Sequence, residues 1–212
     1  MATSILDRRP PGAGAAADAA TLLAVPADVR LKVDADGFAA LCAANRDLRL
    51  ERDADGALLA MTPASSEGGG RNMTLGARLW LWNEAAGLGM VFDSSAGFTM
   101  PDGSVRSPDV SWIARERWER VPADDRRRFA HIVPDFVVEL RSPSDSIDLL
   151  RAKMAAYLAH GVRLGWLIDP ETQAVEIYRP GRDPETLAKP AALSGEEVLP
   201  GLTLDLKGVL FD

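Results

Sequence analysis

Residues 134–170 read PDFVVELRSPSDSIDLLRAKMAAYLAHGVRLGWLIDP. The segment opens with the apolar run Phe136-Val137-Val138, β-branched in part, and then a single acid, Glu139. A turn follows at Ser142-Pro143-Ser144-Asp145, then a strongly periodic helix that Gly161 closes. A second apolar run, Leu164 to Ile168, stops at Asp169-Pro170. Strand, helix and strand in that order, with short links, predict a βαβ-like unit. With Phe136, Val137, Val138 and Leu140 around it, Glu139 is expected in a strand buried on both faces. Desolvating an unpaired carboxylate is costly, so Glu139 calls for a partner, and that need is the first hint of a site.

The chain around this unit has 212 residues, enough for one well-buried domain and short for two. Its 47% hydrophobic and 26% charged residues are ordinary globular values. No apolar run approaches the roughly 20 residues of a membrane span, and the N-terminus lacks the apolar core of a signal peptide. A cytoplasmic, non-membrane protein is expected. The single cysteine, Cys42, excludes an internal disulfide framework and a multi-cysteine zinc site, and its Ala-rich helical setting predicts a small core residue. A net charge of −7 argues against broad adhesion to nucleic acid, but not against a nucleic-acid enzyme with local basic groups.

Residues 1–26, rich in Ala, Gly, Pro and Asp, are expected to form a mobile tail, and residues 27–212 a single domain. A helix is predicted over 34–46. A hairpin follows, from Leu48–Arg52 and Ala57–Met61 joined at Asp55-Gly56. Ser65 to Gly70 reads as a flexible lead-in to a helix from Arg71 to Ala86; its glycines lack the Lys-Ser/Thr ending of a phosphate loop. Met90–Phe92 and Gly97–Met100 predict a second hairpin, and Val105 to Ile113 a strand. Residues 115–130 form a charged excursion with short helices, in which Arg126-Arg127-Arg128 reads as a solvated face and Trp118 as a residue free to stack on a base. Ala174–Tyr178 is a strand paired with 164–168, and the chain closes in a short helix reaching Leu210. These elements make one α/β domain around a central mixed β-sheet flanked by helices.

Ser107-Pro108-Asp109 and Glu139-Leu140-Arg141 carry the chemistry. Two carboxylates on neighbouring strands can converge on a divalent cation, since Mg²⁺ takes one or two carboxylates plus waters and substrate phosphate. Such an ion polarises a phosphoryl oxygen and lowers the pKa of bound water. Asp109, and Glu139-x-Arg141 thirty residues later, resemble the PD…(D/E)xK pattern of the restriction-endonuclease-like superfamily. The wider context RSPDVSWI, PDFVVELRSPSDS, the helix with Lys153 and Tyr157, HGVRLGWLIDP and VEIYRP is similar to the Uma-two family, from about Asp34 to Leu204. That resemblance implies a restriction-endonuclease-like core and a Mg²⁺-dependent endonuclease acting on DNA, with Mn²⁺ able to substitute. It implies Asp109 and Glu139 as metal ligands. Arg141 stands where the superfamily has lysine; it can stabilise charge but is a poor general base, and Lys153 is the candidate for a migrated lysine. Relatives often carry a histidine at the start of the helix after Thr62-Pro63. This chain has Glu67-Gly-Gly-Gly-Arg71-Asn72 there, and its only histidines are His131 and His160. Glu51 or Glu67 is the candidate for a further acid.

Each residue has a plainer reading. Asp109 can simply begin a strand after proline, and Glu139 can pair with Arg106 or Lys153. Lys153 can be a solvated helix lysine beside Arg151. Tyr157 packs with its hydroxyl at the rim, and Asp169 ends a strand. The second reading of the whole protein is a nuclease fold without chemistry, serving binding or assembly. A homodimer through an apolar face fits either.

Overall fold

The computed structural model describes residues 29–211. The expected tail, residues 1–26, lies outside the described residues. In chain order the elements are α1 (Ala35–Ala44), β1 (Arg49–Arg52), β2 (Leu58–Met61), α2 (Ser66–Ala86), β3 (Gly89–Asp93), β4 (Phe98–Thr99), β5 (Val105–Arg106) and β6 (Val110–Ala114). There follow α3 (Arg115–Glu119), α4 (Ala123–Arg126), β7 (Phe136–Leu140), α5 (Ile147–His160), β8 (Leu164–Asp169), β9 (Ala174–Tyr178), β10 (Glu185–Ala188), β11 (Ala192–Ser194) and β12 (Thr203–Asp205).

The six-stranded sheet runs β10-β9-β8-β7-β6-β3, and only β7 and β8 pair in parallel. They are the strands of the predicted βαβ unit, with α5 as the crossover. Ser146 caps the first turn of α5, and Gly161 ends it in the left-handed region at φ 111°. Every residue of β7 and β8 is buried. Their side chains alternate between two cores. Phe136, Val138 and Leu140 join Leu75 and Leu79 of α2 and the C-terminal leucines on one face. Val137 and Leu167 join Met154 and Tyr157 of α5 on the other. Gly165 permits that second contact, because a Cβ there would stand 2.5 Å from Met154 Cε. Each large side chain fully buried here contributes about 1.5–3 kcal/mol.

A four-stranded sheet, β2-β1-β5-β4, holds the predicted hairpin, with Arg49 opposite Met61 and Arg52 opposite Leu58. Four expectations need correction. Met90–Phe92 and Gly97–Met100 do not form a hairpin, because β3 pairs with β6 in the large sheet and β4 with β5 in the small one. Alternation identifies a strand but not its partner. The run Val105 to Ile113 is two strands in different sheets, broken at Ser107-Pro108-Asp109. Pro108 has no N–H to give a ladder, and the Ser107 N–H goes to Glu51 Oε1 at 2.9 Å. The glycines at 68–70 lie inside α2, which begins at Ser66 because Ser65 Oγ accepts from Gly68 N at 3.1 Å. No closing helix forms: after the β11–β12 hairpin the chain turns through Gly208 at φ 73°, burying Leu206, Val209 and Leu210. Among the described residues no helix is long and apolar enough to cross a membrane.

Candidate functional site

The site forms where β6 and β7 lie side by side. Val110 pairs with Val138, so extending that antiparallel register by one residue sets Asp109 opposite Glu139. Asp109 Oδ2 accepts the Leu140 N–H at 2.9 Å, and Oδ1 receives only a long contact of 3.4 Å from Asn72 of α2. Glu139 is 3% exposed. Its face of β7 is the one that α5 covers, and two α5 side chains one helical turn apart meet it. Lys153 Nζ stands 2.9 Å from Glu139 Oε1, and the Tyr157 hydroxyl donates to the same oxygen at 2.9 Å. Lys153 also donates to Glu51 Oε1 of β1 at 3.0 Å. Glu51 in turn accepts from Ser107 N, and its Oε2 lies 3.3 Å from Arg106 Nη1, which is also paired with Asp53 through Nη2.

Burial sets the protonation of this cluster. Desolvation pushes the Glu139 carboxyl up to about 7; Lys153 pulls it back, while Asp109 and Glu51 add repulsion. Burial also raises Asp109, against its bond from Leu140 and the charges of Lys153 and Arg49. Burial alone would lower Lys153, but Glu139 and Glu51 outweigh it and hold the ammonium protonated above its ordinary range. Desolvation and the adjacent Glu139 keep the Tyr157 phenol neutral.

A cleft of about 500 Å³ opens over these groups, lined by Asp109, Glu139, Lys153, Arg49, Asn72 and the Arg141–Asp145 turn, among others. Asn72 Oδ1 and the Nε and Nη2 of Arg49 are buried there without hydrogen-bond partners. Among the described residues no group of three or more His, Cys, Asp or Glu side chains is assembled around one point. The donor chemistry nevertheless suits a hard cation such as Mg²⁺, which binds through one or two carboxylates and completes its shell with water and phosphate.

The profile of the Uma2 family, described as "Putative restriction endonuclease", matches residues 35–207. The chain belongs to the Uma2 family. Among solved structures it is similar to a protein from Anabaena variabilis ATCC 29413, described as "a putative nuclease belonging to DUF820". The TM-score is 0.64 at 23% identity, over 76% of this chain and 89% of that one. At that identity the likeness is one of fold. No curated protein matches the chain.

In this Uma2 chain the predicted site residues separate into two groups. Asp109, Glu139 and Lys153 come together, and Glu51, one of the two further acids named from sequence, joins them. Arg141 lines the same cleft but is committed elsewhere, with Nη1 at 2.8 Å from Asp169 and 3.1 Å from Glu171. Asp169 thus ends its strand as expected, capping the Glu171 N–H as well. Glu67 sits at the cleft rim paired with Arg71. Neither histidine lines the cleft; His131 pairs with Asp125 and His160 with Asp102. Lys153 is not a solvated lysine, its side chain being 15% exposed. Tyr157 is not at a rim: it is 1% exposed, because its hydroxyl finds Glu139 inside the core. Trp118 is packed on Phe92 and beneath Arg126, so its ring is not the free stacking surface expected; Arg126, with its guanidinium on the Val121 and Glu119 carbonyls, lies with Arg127 and Arg128 on the exposed face expected for them. Cys42 is half-buried rather than core. Sequence reading passed over Arg49 and Asn72. The period-two alternation that puts Arg49 on the face of Glu51 was the available signal for the first.

Proposed function

We propose that this Uma2 protein is a divalent-metal-dependent endonuclease that hydrolyses phosphodiester bonds of DNA, with Asp109 and Glu139 holding Mg²⁺, or Mn²⁺ in its place. The observation that supports this reading is the pair of acids on adjacent strands, facing one cleft beside a lysine that stays charged. A bound cation supplies Lewis acidity toward the phosphoryl oxygen and a more acidic water. The chain's own residues do the rest. Lys153, kept protonated, serves as a fixed positive charge for the developing negative charge at phosphate and not as a base. It fills that role in preference to Arg141, whose guanidinium is tied to Asp169 and Glu171. Tyr157 orients Glu139 through Oε1, and among the described residues Oε2 receives no hydrogen bond. Glu51 is a second acceptor for Lys153 and helps to hold it beside Glu139.

Calorimetric titration with Mn²⁺ and incubation with supercoiled plasmid test the assignment together. Wild type is expected to bind Mn²⁺ and nick the plasmid only with metal. Asp109→Ala and Glu139→Ala are expected to bind metal at least tenfold more weakly and to show no nicking while retaining a cooperative unfolding transition. Metal-dependent nicking by both variants would sink the assignment. Metal binding by wild type without turnover on any nucleic acid would favour the binding or assembly module.

A further inference from the structure

Four basic side chains line the cleft: Arg49, Arg71, Arg141 and Lys153. Three have carboxylate partners. Arg71 pairs with Glu67, Arg141 with Asp169 and Glu171, and Lys153 with Glu51 and Glu139. Arg49 pairs with no carboxylate among the described residues, and its Nε and Nη2 are buried without an acceptor. A guanidinium does not escape this cost by losing its proton, so two buried charged donors mark a place that lacks an acceptor.

The backbone explains why Arg49 lines the cleft. Side chains alternate along a strand, so Arg49 and Glu51 of β1 share one face, about 7 Å apart along the chain. Glu51 reaches Lys153 and Ser107 on that face. Leu50 and Arg52 take the other, where Arg52 donates to the Val33 and Gly103 carbonyls. Arg49 therefore stands beyond Glu51 on that face and lines the same cleft as Asp109, although no ion pair joins them.

We propose that Arg49 is a phosphate-binding residue, its guanidinium turning out into the cleft so that Nε–H and Nη2–H form a two-pronged donor for the non-bridging oxygens of a nucleic-acid phosphodiester beside Asp109. The proposal rests on the nuclease reading. The planar fork of arginine matches two phosphate oxygens, and charge-assisted bonds of this kind are short and directional. A cation without a protein counter-charge also offsets the repulsion that Asp109, Glu139 and Glu51 exert on an incoming polyanion.

The test is fluorescence anisotropy of a fluorescein-labelled, random-sequence DNA duplex, with Ca²⁺ in place of Mg²⁺ to suppress turnover, across a range of NaCl concentrations. Wild type, Arg49→Gln and Arg49→Lys are compared. Each phosphate contact contributes about 0.9 to the slope of log K against log salt. Arg49→Gln is expected to bind more weakly and to lose about 0.9 of that slope, with Arg49→Lys recovering most of it. In the same protein, Mn²⁺ affinity measured by calorimetry should be unchanged or tighter, because a positive charge next to Asp109 has gone. A merely structural arginine would instead lower metal and DNA binding together, which overturns the proposal. An unchanged slope and affinity in Arg49→Gln, with wild type binding the duplex, refutes the Arg49 subsite and leaves the nuclease reading intact. Failure of wild type to bind DNA at all removes both.

Discussion

Glu139 is a carboxylate that burial holds near neutrality, from an ordinary 4.5 up to about 7. A folded chain that binds this proton more tightly than the unfolded chain is favoured where both are protonated. The resulting stability is fully present below about pH 4.5 and is lost as pH rises toward about 7. Glutamine keeps the shape and neutrality of the protonated acid. In metal-free protein, Glu139→Gln should therefore become more stable relative to wild type across that window, by on the order of 1.4 kcal/mol for each pH unit. Urea midpoints in EDTA, taken at both ends of the window, measure the difference; parallel profiles would show that Glu139 is ionised throughout. Protons competing for Glu139 also mean that Mn²⁺ affinity should rise over the same interval. Asp109 and Glu139 were legible as a pair of acids on neighbouring strands, through the PD…(D/E)xK resemblance as much as through spacing. Tyr157 was not, because its role depends on a hydroxyl that meets an acid only when α5 lies on β7.

At the level of elements, α2 shows how a weak local signal yields to context. Gly68, Gly69 and Gly70 form a run that favours loop over helix, yet all three are helical. Capping by Ser65 and burial of Leu75 and Leu79 against the large sheet outweigh the entropy cost. A Cβ at Gly70 would meet no atom within 4 Å. Gly70→Ala is thus expected to stabilise the protein by about 0.5–1 kcal/mol, readable as a higher urea midpoint, while a lower one would mean that the first turn of α2 is not helical in solution. The break at Ser107-Pro108-Asp109 carries the opposite lesson. Pro108 was an available signal that the reading as one strand did not use, and the division of that run between two sheets also depends on Glu51 taking the Ser107 N–H.

For the whole molecule, Glu51 is the tie between the two sheets. It is 3% exposed and belongs to the small sheet, yet it holds Lys153, which packs on the large one, and also Arg106 and Ser107. Removing one member of a buried ionic network leaves the others uncompensated, so Glu51→Ala should cost about 3–5 kcal/mol. Chemical denaturation would show this as a large drop in midpoint; a cost under about 1 kcal/mol would mean that apolar packing alone holds the sheets together. The net charge of −7 belongs to the chain as a whole, whereas Arg49, Arg71, Arg141 and Lys153 are gathered at one cleft.

What the sequence by itself determined was local: the βαβ unit, the β1–β2 hairpin, the strand order of β7, β8 and β9, and two acids placed thirty residues apart. These follow from periodicity, turn chemistry and short connections, which act between near neighbours in the chain. The tertiary structure alone decided which further acid meets Lys153 beside Glu139, Glu51 over Glu67, and which cation is paired with these acids, Lys153 over Arg141. It also decided that Arg49 was left without a counter-charge. Those outcomes depend on contacts spanning up to 102 positions, as between Lys153 and Glu51. Burial then fixes the electrostatics, since the same charges that water would screen along an extended chain interact strongly once desolvated together.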